Sequence, residues 1–271
     1  MITFPVSSVS LECGQVALFA SDMHLCAEEP ATAEFFFAQL GHRLTDSTSS
    51  TASTPITHLF LLGDIFESWF GDDGADTVAR TFIAMLRHWQ QRGLNVYVMR
   101  GNRDFLLNAS QNYDSQPNFS QQSGAILLHD ETVLDAFGSH YLLCHADQLC
   151  TLDVEYQAFR TQTRSVQWQQ AFLSRPFDER KEIAKRLRLA SKANAPSNAI
   201  TTNVAQDAVQ SMMLRHNVLS LIHGHTHLPA DHHFTLNGQQ ANRFVLPDWS
   251  ESSGGFLKLS EAGIERITLP I

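Results

Sequence analysis

Apolar residues recur along this chain in two rhythms. Residues 16–20, 58–62, 96–99, 141–144 and 218–222 are short runs rich in branched aliphatics. They are too short for stable helices and lack a polar alternate face, as strands buried on both sides do. Between them, residues 31–44, 76–92 and 203–216 space their apolar positions as an amphipathic helix does. This alternation predicts an α/β core.

The pattern breaks twice. Residues 151–200 predict three successive helices, 153–164, 167–173 and 176–192, with no strand among them. The last opens on Pro176, and the first helical turn accepts proline. After His227 the chain turns to short strands, at 243–246, 255–259 and 264–269. The expected organisation is a core built from residues 1–150 and 201–271, with 151–200 inserted as a helical cap. Residues 45–55, dense in Ser and Thr, read as a solvated loop.

Charge sharpens the picture in one place. The net charge of −9 argues against a nucleic-acid partner, which calls for a basic surface. Yet residues 151–200 hold nine Lys/Arg against five Asp/Glu, whereas the remainder holds ten against 23. A basic block in an acidic chain points to an anionic ligand or membrane surface, although a solvated helix face has the same composition. Cys13, Cys26, Cys144 and Cys150 show no C-x-x-C spacing and read as free thiols of a reducing compartment. The first Lys or Arg is Arg43, and no apolar run approaches the ~20 residues that span a bilayer. The chain is expected to be soluble or peripherally attached.

The candidate chemistry lies at the ends of the predicted strands. Asp22 and His24 follow the first, Asp64 the second, Asn102 and Arg103 the third, His145 the fourth, and His225 and His227 the fifth. In open α/β sheets these carboxyl ends converge on the ligand crevice. Singly, each motif has an ordinary explanation as a turn or a His-rich loop. Together, Asp22, His24, Asp64, Asn102, His145, His225 and His227 offer three oxygens and four imidazoles. That mixture suits Mn, Fe or Zn better than Mg or Ca. The set exceeds what one ion needs, so two ions sharing a bridge are expected, an arrangement that activates water and stabilises phosphoryl transfer. His223, His232 and His233 are read as structural or surface residues.

The ordered set D-x-H, G-D, G-N-x-D, H and G-H-x-H resembles the calcineurin-like metallophosphoesterase superfamily over about residues 16–228. The resemblance implies two facing mixed sheets flanked by helices. It also implies Asp22, His24, Asp64 and His227 around one ion, and Asp64, Asn102, His145 and His225 around the other. Longer stretches, 22–26, 63–73, 101–107, 145–150 and 156–160, are similar to the UDP-2,3-diacylglucosamine hydrolase family of Gram-negative lipid A synthesis. The first ~15 residues and the Ser/Thr-rich stretch stay unmatched. That similarity implies Mn2+ as the usual metal and cleavage of a lipid-linked UDP-sugar to UMP and 2,3-diacylglucosamine 1-phosphate. It also implies a cytoplasmic protein, peripheral on the inner membrane.

Arg103 stands where many of the wider superfamily carry His. A permanently charged guanidinium holds phosphate oxygens but does not donate a proton. The resemblance thus implies catalytic roles for Asp64, Asn102, Arg103 and His225, and substrate contacts from Asn102, Arg103, Asp153, Asn194 and His225. Three positions depart from the pattern: Ser191-Lys192 lies one residue closer to Asn194, Ser197 replaces a Lys, and Ala146 replaces a Gly. Residues 176–192 place Ile183 and Leu187 on one side, with Arg180, Lys181, Lys185, Arg186 and Arg188 around the other, as interfacial helices do. Tyr156, Phe159, Trp168, Phe172 and Phe177 are expected to line a lipid slot or to pack the cap. Two other readings are a pyrophosphatase or phosphodiesterase for soluble nucleotides, and a metal-bearing scaffold for a partner protein.

Overall fold

Strands β2 (Ala17–Ala20) and β3 (His58–Leu62) are buried at every position, and their alternate residues enter different cores. Leu18, Ala20, Leu59 and Leu61 pack with Phe36 and Leu40 of α1 (Pro30–Asp46) and Phe82 and Leu86 of α2 (Thr77–Gln91). Ala17, Phe19, Phe60 and Leu62 instead meet Leu134, Leu143 and Ile222 from other strands. Successive side chains of a strand point to opposite faces, so a strand without a polar alternate must be covered on both. A third core joins Leu142, Cys144 and Leu221 to Val209, Met212 and Met213 of α7 (Gln206–Arg215). The layers are therefore helix, sheet, sheet, helix. This computed structural model describes residues 6–46, 54–109, 117–193 and 203–269, without the side chains of Val6, Asp46 and 188–193.

One sheet runs β11 (Gly263–Leu269), β10 (Gly254–Ser260), β2, β3 and β4 (Asn95–Met99). The other contains β1 (Val6–Leu11), β5 (Ile126–Ala136), β6 (Ser139–Cys144), β7 (Ser220–His223), β9 (Gln239–Val245) and β8 (Asp231–Leu236). Strand β5 links them: Ile126 and Leu127 pair in parallel with β4, whereas Thr132 to Ala136 pair antiparallel with β6. His129, Asp130 and Glu131 interrupt its apolar pattern where it passes between sheets, so periodicity does not predict it. Strand β1 lies in the stretch left unmatched above. It pairs in parallel with β5 and sends Val9 and Leu11 into the intersheet core. Strand β8 begins Asp-His-His and lies on the sheet's edge, and its exposed side chains carry no apolar signal.

Between α2 and β5 lies α3 (Phe119–Ser123), closed by a reciprocal Asn118 and Gln121 capping box. Between β6 and α7 come a 3-10 turn at Asp147–Leu149, then α4 (Val154–Thr163), α5 (Val166–Leu173) and α6 (Phe177–Ala193). Trp168 stacks on Phe172 at 4.8 Å, Phe172 and Ile183 join the α1/α2 core, and Phe177 tilts against Phe70. These rings pack the helices down, whereas Phe159 is exposed.

Arg180 departs from the expected charged outer face. It is only 3% exposed, its guanidinium pairs with Asp73, and it donates to the Phe70 carbonyl at 2.5 Å. Asp73 and that carbonyl supply the partners a buried cation requires, so the helix turns this residue inward. Lys181, Lys185 and Arg186 stay exposed. Residues 47–53 of the Ser/Thr-rich stretch, with Asn194 and Ser197, lie outside the described residues.

Candidate metal centre

The loops after β2 and β3 are stitched together by backbone bonds. Asp22 N–H donates to Gly63 O at 3.1 Å, and His24 N–H to Asp64 O at 3.0 Å. Asp22, His24, Asp64, His225 and His227 hold φ at 56°, 49°, 50°, 70° and 53°. Left-handed backbone costs a non-glycine residue about 1–2 kcal/mol. Its concentration on neighbouring loops marks a geometry imposed by the surroundings. Glycines permit the close approach: a Cβ on Gly101 would overlap Asp64, and one on Gly224 would overlap the Asp22 carboxylate.

Lone pairs converge at two points. Nε2 of His24 lies 3.3 Å from Nε2 of His227, and Asp22 Oδ1 lies 3.5 Å from the latter. On the far side of each ring stands a carboxylate: Glu67 Oε2 is 3.1 Å from His24 Nδ1, and Asp248 Oδ2 is 3.4 Å from His227 Nδ1. Both are ion-pair contacts without an aligned hydrogen bond. Those carboxylates favour the proton on Nδ1, so two imidazole lone pairs and the buried, unpartnered Asp22 Oδ1 face one another. Such a cluster repels itself unless a cation sits within it.

The second point has the same logic. His145 Nδ1–H donates to Leu62 O at 2.9 Å, which turns Nε2 towards Asn102 Oδ1, also at 2.9 Å. His225 Nδ1 reaches the same amide oxygen at 2.8 Å. Asp64 lies beside this cluster, with Oδ1 3.5 Å from His145 Nε2 and accepting the Arg103 N–H at 2.8 Å. Asp22, Asp64 and His145 also bring their ligand atoms within 4.8 Å of one another, which links the two points. The nitrogen and carboxylate mixture fits a pair of first-row divalent ions.

Titration reflects this field. Burial opposes the charged forms of His145 and His227, yet neighbouring carboxylates, Asp64 for the first and Asp22 for the second, lift both above the ordinary histidine range. Burial and the neighbouring His145 depress His225 to about 4. Asp104 lies beneath the site and receives Gly101 N–H and Ile65 N–H at 2.7 Å each. Burial and the Asp64 charge push its carboxyl up to about 6.

The family model of the calcineurin-like phosphoesterases matches residues 16–229, the span that holds every one of these candidate ligands. This chain belongs to the calcineurin-like phosphoesterase family. It is 39% identical over 254 residues to the UDP-2,3-diacylglucosamine hydrolase of Escherichia coli O7:K1, a span covering 93% of this chain and 98% of that protein. It is equally 39% identical over 253 residues to the protein of that name from Chromobacterium violaceum, with the same coverage.

Around the calcineurin-like centre the remaining expected residues are unevenly placed. Arg103 shares the Asn102 loop, and its guanidinium has no hydrogen bond or ion pair among the described residues. Asp153 spends one oxygen capping α4, accepting from Tyr156 N–H at 3.0 Å. Asn194 lies outside the described residues.

Several contributors were not expected at the centre, Tyr156 among them, which was expected to line a lipid slot or to pack the cap. Buried Asp147 accepts from Tyr156 Oη at 2.6 Å and Arg160 Nε at 2.8 Å. Burial opposes its charge, but Arg164 and Arg160 hold its carboxyl well below the usual range. Arg164 in turn donates to Gly101 O at 2.9 Å, and the Tyr156 ring stacks over His225. Helix α4 is thereby wired to two ligand loops. The quoted stretches containing Asp147, Tyr156 and Arg160 carried that signal. Glu67 lay in one such stretch too, whereas Asp248 sat in no motif.

Proposed function

We propose that the chain hydrolyses the pyrophosphate bond of UDP-2,3-diacylglucosamine, releasing UMP and 2,3-diacylglucosamine 1-phosphate. The observation that carries this reading is the pair of facing donor clusters around Asp22 and Asp64. Asp22, His24, Asp64 and His227 would hold one ion; Asp64, Asn102, His145 and His225 would hold the other, with Asp64 shared. Two divalent ions, Mn2+ in this reading, supply Lewis acidity that offsets phosphoryl charge and makes water a competent nucleophile near neutral pH.

The chain's own residues orient the substrate. Arg103 brings to the Asn102 loop a guanidinium without a partner among the described residues, which binds phosphate oxygens and neutralises charge that grows during displacement. His225, neutral at pH 7, would give its lone pair to the ion and keep an N–H for a phosphoryl oxygen without adding charge. Asp153 contacts the glucosamine or nucleotide through the carboxylate oxygen that does not cap α4, and Asn194 is assigned to the same task.

Residues 151–200 act as a cap over the acyl chains in this reading. Exposed Leu152, Val154, Phe159, Val166 and Leu187 support it, as do exposed Lys181, Lys185 and Arg186. Among the described residues no helix is long and apolar enough to cross a membrane. That fits peripheral attachment to the cytoplasmic face of the inner membrane, where such a lipid would be met.

The test is to strip the protein with chelator, supply UDP-2,3-diacylglucosamine with and without Mn2+, and measure UMP. Mn2+-dependent UMP release is expected. Cleavage of soluble nucleotide diphosphate esters with none of the lipid substrate would overturn the substrate assignment and keep the hydrolase. Inactivity towards both, with bound metal verified, would favour the scaffold.

A further inference from the structure

The two ion positions are backed by different chemistry. Around His24 and His227, both Nδ1 atoms face carboxylates, Glu67 at 3.1 Å and Asp248 at 3.4 Å. Around the other position His145 Nδ1 meets only the neutral carbonyl of Leu62, and His225 Nδ1 is spent on Asn102. No carboxylate stands within ion-pair distance of His225 among the described residues. A carboxylate behind a ligating imidazole fixes its tautomer, raises its basicity and adds negative charge close to the ion.

The backbone beside each carboxylate is tied to the loop of residues 22–25. Glu67 N–H donates to Leu25 O at 3.2 Å, and Leu25 N–H to Ile65 O at 2.8 Å. Next to Asp248, Trp249 N–H donates to Asp22 O at 3.2 Å. The Trp249 ring is fixed edge-on against Phe36 and Phe256, at 4.7 and 5.0 Å. Backbone bonds and ring packing thus tie ligands and carboxylates to one frame, and a frame held this way reduces the ordering cost of binding.

We propose that Glu67 and Asp248 are positioning residues that make the Asp22/His24/His227 position the tight one of two unequal ion sites, leaving the Asn102/His145/His225 position exchangeable. The inference rests on the dinuclear reading above but not on its substrate. At limiting metal the chain holds one ion at the carboxylate-backed position, and the second ion fills at higher concentration.

The test is direct titration of chelator-stripped, full-length protein with Mn2+, with free Mn2+ followed by electron paramagnetic resonance. The unsubstituted protein is expected to bind in two separated steps. Glu67→Gln and Asp248→Asn should each weaken the tight step by roughly 10- to 100-fold and spare the loose one. Asp248→Glu should restore part of the loss, and Asn102→Ala should weaken the loose step. Melting of the metal-free variants checks folding. If Glu67→Gln does not fold, the half-exposed Asp248 carries the test.

Two equal steps in the unsubstituted protein would overturn the proposal, as would Gln or Asn substitutions that leave the tight step unchanged or weaken only the loose one. No Mn2+ binding at all would overturn it together with the dinuclear reading. Two normal steps without UMP release would sink only the substrate assignment.

Discussion

Gly224 and Asp72 show how much single residues decide here. A Cβ on Gly224 would overlap Asp22 Oδ2 and the Ser21 hydroxyl, and the His225 N–H that holds Asp22 follows directly. Gly224→Ala is expected to displace the Asp22 carboxylate and lose bound metal, read by metal analysis of the purified variant. Asp64→Ala should remove the shared ligand and abolish turnover; full metal content with normal UMP release would refute that role.

Asp72 is buried with Oδ2 unpartnered, and burial pushes its carboxyl up to about 6 despite donation from Trp69 Nε1 and Asn108 N–H. The folded state therefore binds more protons than the unfolded chain between about pH 4 and pH 6. Asp72's contribution to stability falls as pH rises through that window, by at most roughly 1.4 kcal/mol per pH unit, then levels off. Asp72→Asn should flatten that slope and be the more stable protein at pH 8, measured by denaturant midpoints at both pH values.

At the scale of elements, α6 is docked by a charge. Arg180 reaches Asp73 and the Phe70 carbonyl from beneath the helix, while Ile183 packs on the α1/α2 core. Truncating Arg180 leaves the half-exposed Asp73 and a carbonyl without their cation, at a cost of about 2 kcal/mol. Arg180→Ala is expected to raise amide hydrogen exchange in α6 while β2 and β3 keep their protection. Equal loss of protection in both places would mean that α6 and the core open as one unit. Strand β1 makes a similar point, since deleting residues 1–11 removes Val9 and Leu11 from the intersheet core and uncovers β5. A lower melting temperature is expected although every metal ligand remains.

For the whole molecule, the centre gathers buried carboxylates whose charge divalent ions would offset. Asp22, Asp64 and Asp104 are buried together, and His145 and His227 draw protons to offset them. Metal should therefore raise the melting temperature, by the equivalent of about 2.7 kcal/mol at one hundred times the dissociation constant. Protons compete for the same nitrogens, so Mn2+ affinity should fall as pH drops through the raised histidine values. Calorimetry in buffers of different ionisation enthalpy would detect the released protons.

Motif order and strand-end placement let the local sequence pick out most of the candidate ligand set, because each candidate is placed by the few residues around it. The buried strands β2, β3, β4, β6 and β7 were legible for a related reason: covering both faces leaves a continuous apolar run. What only tertiary structure decided depends on residues far apart in the chain. Strand β5 changes sheets across a polar stretch, and β1 is a strand because β5 offers it an edge. Arg180 turns inward because Asp73 lies beneath it, which helical periodicity cannot register. Asp248 comes to lie beside His227, and Trp249 is tied to Asp22, by contacts that span most of the chain or follow from packing.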